Sequence, residues 1–229
     1  MSGPTNEHRP SSPQYPLRGA LKFAALAGML ALTACGRPEG RDLDELVRQD
    51  GRYLTPETGQ PYSGVAFATF QGQPGAVAQR LNLWNGTYHG PFESYFRGQT
   101  VSAKESYENG VRHGPFEWFF ENGELFEEGE YVNGQREGRY RAYWESGDLY
   151  EEGTYADGDF DGPRRWYVDG RLVEMVTYSH GVIDGLYERY RDDGSLDLKG
   201  MLSNGNPCGV WFEGDHTITY PLCGTWVTE

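Results

Sequence analysis

The feature that most constrains the fold of this chain is an internal repeat with a period of about 24 residues. Each copy holds two glycines four residues apart, and the first of them usually follows an asparagine or an aspartate. The first glycines are Gly86, Gly110, Gly134, Gly158, Gly181 and Gly205, and the second are Gly90, Gly114, Gly138, Gly162, Gly185 and Gly209. A fixed period in this range is typical of linear repeat proteins, in which each unit buries its apolar face only against its neighbours.

The residues between the glycines predict β-hairpins. Aromatic residues make up 14% of the chain and occur in short runs that Asn-Gly or Asp-Gly pairs interrupt, which is the pattern of strands joined by tight turns. We expect the first strand of each copy to follow the second glycine, as in 115–120, and a turn such as Asn122-Gly123 to lead into the second strand. The predicted fold is all-β: an elongated, twisted, largely single-layer antiparallel sheet of stacked β-hairpins.

One face of this sheet is predicted to be aromatic, because side chains alternate between the two faces of a strand. Phe116, Trp118 and Phe120 then share one face, while Glu117 and Phe119 point to the other. A rigid aromatic face is suited to binding a protein or a glycan. The residues predicted to bind the partner are Phe92, Phe116, Trp118, Phe120, Tyr140, Trp144 and Trp166.

The first 34 residues have the plan of a secretory signal peptide. Arg18 and Lys22 precede the apolar run 23–32, and small residues follow it up to Cys35. The sequence Leu-Thr-Ala-Cys at 32–35 resembles the bacterial lipobox, in which the peptide is cut before the cysteine and that cysteine carries lipid. The alternative is an ordinary secretory signal with a chance cysteine.

The resemblance to bacterial lipoproteins implies a location. Gly36, and not an aspartate, follows Cys35, which favours the outer membrane, on its periplasmic or surface face. The formal net charge of the chain is −14, and removal of residues 1–34 takes away three basic residues and one acidic residue, leaving −16. Such a surface excludes nucleic acid as a partner. The lipid bilayer is therefore expected to be bound through acylated Cys35.

The remaining cysteines, Cys208 and Cys223, are an even number near the C-terminus. In an exported protein they favour a disulfide over two free thiols.

The chain divides into five predicted segments: a lipoprotein signal peptide at 1–34, a tether and short N-terminal cap at 35–50, divergent first hairpins at 51–84, the repeat array at 85–214 and a C-terminal cap at 215–229. Within the N-terminal cap, 41–48 favours one short helix.

Three acidic or metal-ligating patterns have simple structural explanations. Residues 157–162 imitate the first half of a calcium loop, but the twelfth position is Val168, where a glutamate is required. Adjacent glutamates, as in Glu127-Glu128 and Glu151-Glu152, face opposite sides of a strand and are expected to be solvated edge charges. The polar residues before each second glycine are expected to be exposed turn residues and not metal ligands: His89, His113, Glu137, Asp161, Asp184 and Cys208.

The segment Tyr131–Gly138 and its equivalents resemble the MORN repeat, in the bacterial variant in which the glycine pair is followed by proline and an aromatic residue. The resemblance covers residues 44–214, with Arg164 at a position that is aromatic in other copies. It implies binding or scaffolding and supplies no catalytic residue, cofactor or metal. The predicted function is a lipid-anchored, non-catalytic protein- or glycan-binding scaffold of the cell envelope. The alternative is an antitoxin-like or immunity component that neutralises a toxin, and a hydrolase of envelope polymers ranks last because no catalytic constellation is present.

Overall fold

A computed structural model describes residues 39–224. The predicted signal peptide, Cys35, the first part of the tether and the last five residues of the predicted C-terminal cap lie outside this range. The described residues form nineteen strands and one 3-10 helix. Before the array these are β1 (Arg41–Asp42), the 3-10 helix (Leu43–Glu45), β2 (Val47–Gln49), β3 (Arg52–Leu54), β4 (Gly64–Thr69) and β5 (Val77–Trp84).

Fourteen strands follow, and the last of them, β19, lies in the predicted C-terminal cap. They are β6 (Thr87–Tyr95), β7 (Val101–Glu108), β8 (Val111–Arg112), β9 (Gly114–Phe119), β10 (Leu125–Val132), β11 (Gln135–Tyr143), β12 (Leu149–Ala156), β13 (Asp159–Phe160), β14 (Gly162–Val168), β15 (Arg171–Ser179), β16 (Val182–Tyr190), β17 (Leu196–Ser203), β18 (Asn206–Glu213) and β19 (His216–Thr219).

The strands from β4 to β19 follow one another in an open antiparallel sheet, in which chain order is also spatial order. Strand β1 adds to β4 in parallel, and β2 and β3 form a separate hairpin. Strands β8 and β9 both pair with β7, and β13 and β14 both pair with β12, so each of these pairs is one interrupted strand. The predicted all-β sheet of stacked hairpins is confirmed.

The turns of the array lie on two opposite edges of the sheet. We define the Asn-Gly edge by the turns that carry the first glycines, and the second-turn edge by the turns centred near residues 98, 122, 146, 170 and 193. At the Asn-Gly edge both central residues have positive φ, as in Asn133 at 51° and Gly134 at 84°. This conformation matches the twist of a hairpin and favours asparagine and glycine.

The strands begin earlier than the sequence indicated. Strand β11, for example, starts at Gln135, directly after the Asn-Gly turn, because Val132 and Gln135 already pair. The second glycine, here Gly138 with φ 72°, lies inside the strand next to a shift of register. It absorbs a β-bulge and does not mark the start of the strand.

The predicted short helix at 41–48 is wrong. Arg41 and Asp42 pair in parallel with Ala66 and Phe67, and a single 3-10 turn separates them from β2. The reason is tertiary: Leu46 must reach a buried cluster with Ala66, Leu81 and Leu83, and pairing with β4 brings it there.

Glycines inside the second strands let the aromatic rings of a single-layer sheet pack flat. A Cβ at Gly129 would lie 2.7 Å from the ring of Phe116. Gly153 receives the ring of Phe160 and Gly200 that of Trp211 in the same way. Each ring therefore covers the backbone of the neighbouring strand, which buries apolar area without a second layer.

Candidate binding surface

Three glutamates are buried on the aromatic face of the array, each with an arginine partner. The pairs are Glu105 with Arg112, Glu127 with Arg136, and Glu151 with Arg164. The expectation that Glu127 and Glu151 are solvated edge charges is therefore wrong. Their neighbours Glu128 and Glu152 lie on the opposite face, as the alternation of a strand requires.

Aromatic rings surround the arginine of the central pair. The guanidinium carbon of Arg136 lies between 5.3 and 5.7 Å from the ring centroids of Phe116, Trp118, Tyr140 and Tyr155. Burial raises the pKa of Glu127, and Arg136 acts in the opposite direction. Because both charges are removed from water, this pair is held in place by its neighbours and is not available to a ligand.

Arg164 occupies a position that is aromatic in other repeats, and the structure shows how this is accommodated. In the two preceding repeats arginine comes two residues after the first glycine, as in Arg136, and the aromatic residue four positions later, as in Tyr140. In this copy the order is reversed, with Phe160 first and Arg164 second. The guanidinium of Arg164 lies 4.2 Å from the centroid of the Phe160 ring and forms two hydrogen bonds with Glu151, of 2.6 and 2.9 Å. The cation, ring and carboxylate are all retained.

The opposite face pairs tyrosines with carboxylates. The hydroxyl of Tyr143 donates to Glu128 Oε1 at 2.7 Å and that of Tyr167 to Glu152 Oε1 at 3.0 Å. Tyr190 donates to Glu188 at 2.6 Å, which together with burial raises the pKa of Tyr190 to about 12. The first two bonds link neighbouring strands, whereas the bond from Tyr190 to Glu188 lies within β16.

Four of the polar residues that precede a second glycine bond to the next turn. His113 Nδ1 accepts a hydrogen bond from the backbone N–H of Asn133 at 3.4 Å, and Glu137 Oε2 accepts one from Asp157 at 3.0 Å. The same bond recurs from Asn85 to Ser63, from Asn109 to His89 and from His180 to Asp161. Each side chain therefore fixes the next turn along the Asn-Gly edge.

A backbone bond runs parallel to this ladder. The N–H of each first glycine donates to a carbonyl one repeat earlier, as from Gly134 to Arg112 at 2.8 Å. Asp161, part of the segment that imitates a calcium loop, is one of the ladder acceptors. Between residues 39 and 224, no three His, Cys, Asp or Glu side chains are grouped closely enough to hold a metal ion.

The last member of this column, Cys208, is bonded to Cys223 in a disulfide. Its side chain is fully buried. The bond fastens the chain after β19 to strand β18.

The seven residues predicted to bind a partner do not form one surface. Phe116, with 2% exposure, and Tyr140 are buried in the core. Phe92, Trp118 and Trp166 are partly buried and are engaged within the chain: Trp118 Nε1, for instance, donates to Glu105 Oε1 at 3.0 Å. Phe120 and Trp144 lie instead at the second-turn edge.

Two aromatic pairs stand on this edge, which we name the edge pairs. Phe120 meets Phe126 with ring centroids 5.0 Å apart, and Trp144 meets Tyr150 at 4.5 Å, both edge to face. Trp144 is 45% exposed and Phe126 40%. The pairs occupy equivalent positions in successive repeats, and the side-chain amide of Asn122 joins their turns through a 3.1 Å bond to the carbonyl of Glu145. Phe126 and Tyr150 were missed in the sequence because they fall at a register shift, where alternation fails.

Carboxylates surround the edge pairs. Glu121 and Glu124 belong to the turn beside Phe120, and Glu145 and Asp148 to the turn beside Trp144; all four are exposed. Within the part of the chain that the structure describes, none of the four is in an ion pair. This edge therefore combines exposed aromatic area with uncompensated negative charge.

The family model of the MORN repeat variant matches residues 112–133 and 136–157. The first segment runs from the end of β8 through β10, and the second from β11 through β12. These two segments are MORN-type repeats. Both edge pairs lie inside the matched MORN segments, and the other hairpins of the sheet continue their geometry. No curated protein matches the chain.

Proposed function

We propose that this protein is a lipid-anchored, non-catalytic scaffold of the cell envelope that holds a partner on its MORN-type repeats. The observation that carries the proposal is the pair of exposed aromatic clusters, Phe120 with Phe126 and Trp144 with Tyr150, on one edge of the sheet. Exposed aromatic clusters mark interaction sites because they supply large contact area at a small cost in side-chain entropy.

The repeat architecture supports a binding role. The family match at residues 112–133 and 136–157 is to the MORN repeat variant, a resemblance that implies scaffolding, and a stack of hairpins presents equivalent positions at a regular spacing. In the core of the array the charged groups are already paired with one another. The edge pairs are the large apolar groups of the matched repeats that lie beside unpaired charge.

The proposed anchor is Cys35, which lies outside the described residues. The support is the apolar run at 23–32 followed by Leu-Thr-Ala-Cys. Among residues 39–224 no helix has the length and the apolar character of a membrane span. Mass spectrometry of the mature N-terminus tests the anchor: an acylated Cys35 is expected, and an unmodified N-terminus elsewhere would contradict it.

Photo-crosslinking in intact cells tests the scaffold role. A benzophenone amino acid is placed at Ser146, in the turn beside Trp144, and separately at Val182, which is exposed on the Asn-Gly edge. We expect a discrete adduct from position 146 and none from position 182. If neither position gives an adduct, or both give the same one, the second-turn edge is not a binding surface.

A further inference from the structure

We propose that the second-turn edge binds a basic segment of a protein partner, whose arginine or lysine side chains lie on the edge pairs. This rests on the proposed scaffold function and adds the chemistry of the partner. The occupant is indicated by a contact that the chain makes with itself on the same edge.

The first hairpin of the sheet shows a cation bound at this edge. Phe70 stands six residues after Gly64, the same distance that separates Phe120 from Gly114 and Trp144 from Gly138. The guanidinium carbon of Arg97, from the turn of the next repeat, lies 5.3 Å from the centroid of the Phe70 ring. A guanidinium over an aromatic face is attracted by the negative potential of the ring.

Farther along the array the internal cation is replaced by a carboxylate. The residue equivalent to Arg97 is Glu121 in the next repeat, Glu145 in the one after it and Asp169 in the fourth. Arg97 comes from the repeat that follows Phe70. The residue in the same position relative to Phe120 is therefore Glu145, and that relative to Trp144 is Asp169. The first copy supplies its own cation over the ring, whereas Glu121 and Glu145 form no ion pair within the described residues and Asp169 pairs with Arg171 at 3.6 Å.

An arginine from a partner would meet both attractive groups at the central copies. The ring face attracts the guanidinium, and Glu145 or Asp148 pairs with its N–H groups. The exposed Trp144 and Phe126 provide area for the aliphatic stem of the side chain.

The spacing of the edge pairs specifies the segment further. They are one repeat apart, which is two strands or about 10 Å. In an extended chain this is the distance between residues i and i+3, at about 3.3 Å each. The preferred ligand is therefore an extended segment with two basic residues three positions apart.

The charge of this edge argues against other ligands that use aromatic contacts. Glu121, Glu124, Glu145 and Asp148 repel the phosphates of nucleic acids and anionic lipids. A neutral sugar would stack on the rings but would be indifferent to the carboxylates. Binding that depends on the charge of the ligand therefore distinguishes a basic segment from a glycan.

A defined peptide provides the first test. The probe is acetyl-Gly-Arg-Gly-Gly-Arg-Gly-amide, titrated by calorimetry into the full chain purified in detergent, beside the same peptide with citrulline in place of both arginines. We expect binding in the range of about 0.1 to 1 mM, and at least about fivefold weaker binding of the citrulline peptide. Equal binding of the two peptides, or no binding of either, overturns the inference.

Variants that restore the internal cation provide a second test. In the double variant Glu145→Arg and Asp169→Arg, each new guanidinium is placed to cover a ring as Arg97 covers Phe70, and the affinity for the arginine peptide is expected to fall about tenfold. Trp144→Ala is expected to weaken it about fivefold. Glu130→Arg is the matched control, because Glu130 is exposed on β10 away from the second turn, and it is expected to change the affinity less than twofold. An unchanged affinity in the double variant overturns the proposal.

Crosslinking from Ser146 separates this inference from the proposed function. An adduct that disappears in the Glu145→Arg and Asp169→Arg variant but persists with Glu130→Arg supports the basic segment. An adduct that persists in all variants overturns the basic segment and leaves the scaffold in place. The absence of any adduct overturns both.

Discussion

The two edges of the sheet are built from the same repeat, yet they differ in what their side chains do. At the Asn-Gly edge, His113, Glu137 and Asp161 each accept a hydrogen bond from the next turn, and a backbone bond from the first glycine accompanies it. At the second-turn edge, Glu121 and Glu145 form no ion pair within the described residues.

This difference shows that residues recur in a repeat protein for two separate reasons. Where a polar residue recurs because each turn must bond to the next, it belongs to the fold. Where a contact between two aromatic rings occurs in only two copies, the repeat itself does not account for it. The edge pairs at 120–150 are of the second kind, because the equivalent positions in the following repeats are Val168 and Arg191. We therefore look for functional residues at positions where the copies of the repeat differ from one another.

The largest effect is expected from comparing Phe116→Ala with Trp144→Ala. Phe116 is buried over Gly129, so its truncation leaves a cavity and is expected to cost about 3 to 5 kcal/mol of unfolding free energy. Trp144 is 45% exposed, and its truncation is expected to cost less than about 1 kcal/mol. Urea unfolding measures both. Equal losses would show that Trp144 belongs to the core and would remove the distinction between the edges and the interior.

The exchanged residues Phe160 and Arg164 give the next largest effect. Arg164→Phe leaves Glu151 buried without its partner and is expected to cost about 3 kcal/mol. Adding Phe160→Arg restores the order of the repeat that contains Arg136, and is expected to recover about 2 kcal/mol, because the new arginine stands where Arg136 reaches Glu127.

Double-mutant analysis of the unfolding free energies checks this exchange. Additive losses from the two changes would mean that an arginine at position 160 cannot replace the arginine at position 164 as the partner of Glu151.

A smaller effect contrasts one carboxylate from each edge. Glu137→Ala removes the acceptor for the Asp157 N–H and is expected to cost about 1 kcal/mol. Glu145→Ala is expected to change stability by less than about 0.5 kcal/mol, because its side chain is exposed and unpaired. Thermal unfolding of both variants is the measurement. A loss at Glu145 as large as that at Glu137 would make the second-turn edge structural as well.

The smallest effect is a pH dependence that separates fixed carboxylates from exposed ones. Hydrogen bonds from Lys199 and Tyr190 lower the pKa of Glu188 below 4.5. A lowered folded-state pKa contributes stability that is present above the unfolded pKa and is lost as the pH falls through the folded value. Glu188→Gln is therefore expected to reduce the loss of stability on acidification below about pH 5.

The unfolding free energy measured across this pH range in the wild type and in Glu188→Gln checks the effect. Glu127 contributes with the opposite sign, because burial raises its pKa and protonation relieves the cost of the buried charge. Parallel pH profiles for the two proteins would show that Lys199 does not hold the Glu188 carboxylate.

The sequence by itself determined the period, the turns and the two faces of each strand. These follow from local rules: Asn-Gly pairs adopt positive φ at low cost, and side chains alternate along a strand. The hairpin predicted around Asn122-Gly123, for example, is present as the antiparallel pair β9 and β10.

Only the tertiary structure decided which of the equivalent residues are buried. Phe116 and Trp144 have the same aromatic character in the sequence, but one ring lies over Gly129 and the other projects beyond the turn. The burial of Glu127 and Glu151 depends on arginines that come from the next strands. The physical reason is that burial and hydrogen-bond partners are properties of neighbouring repeats taken together, whereas the sequence pattern describes one repeat at a time.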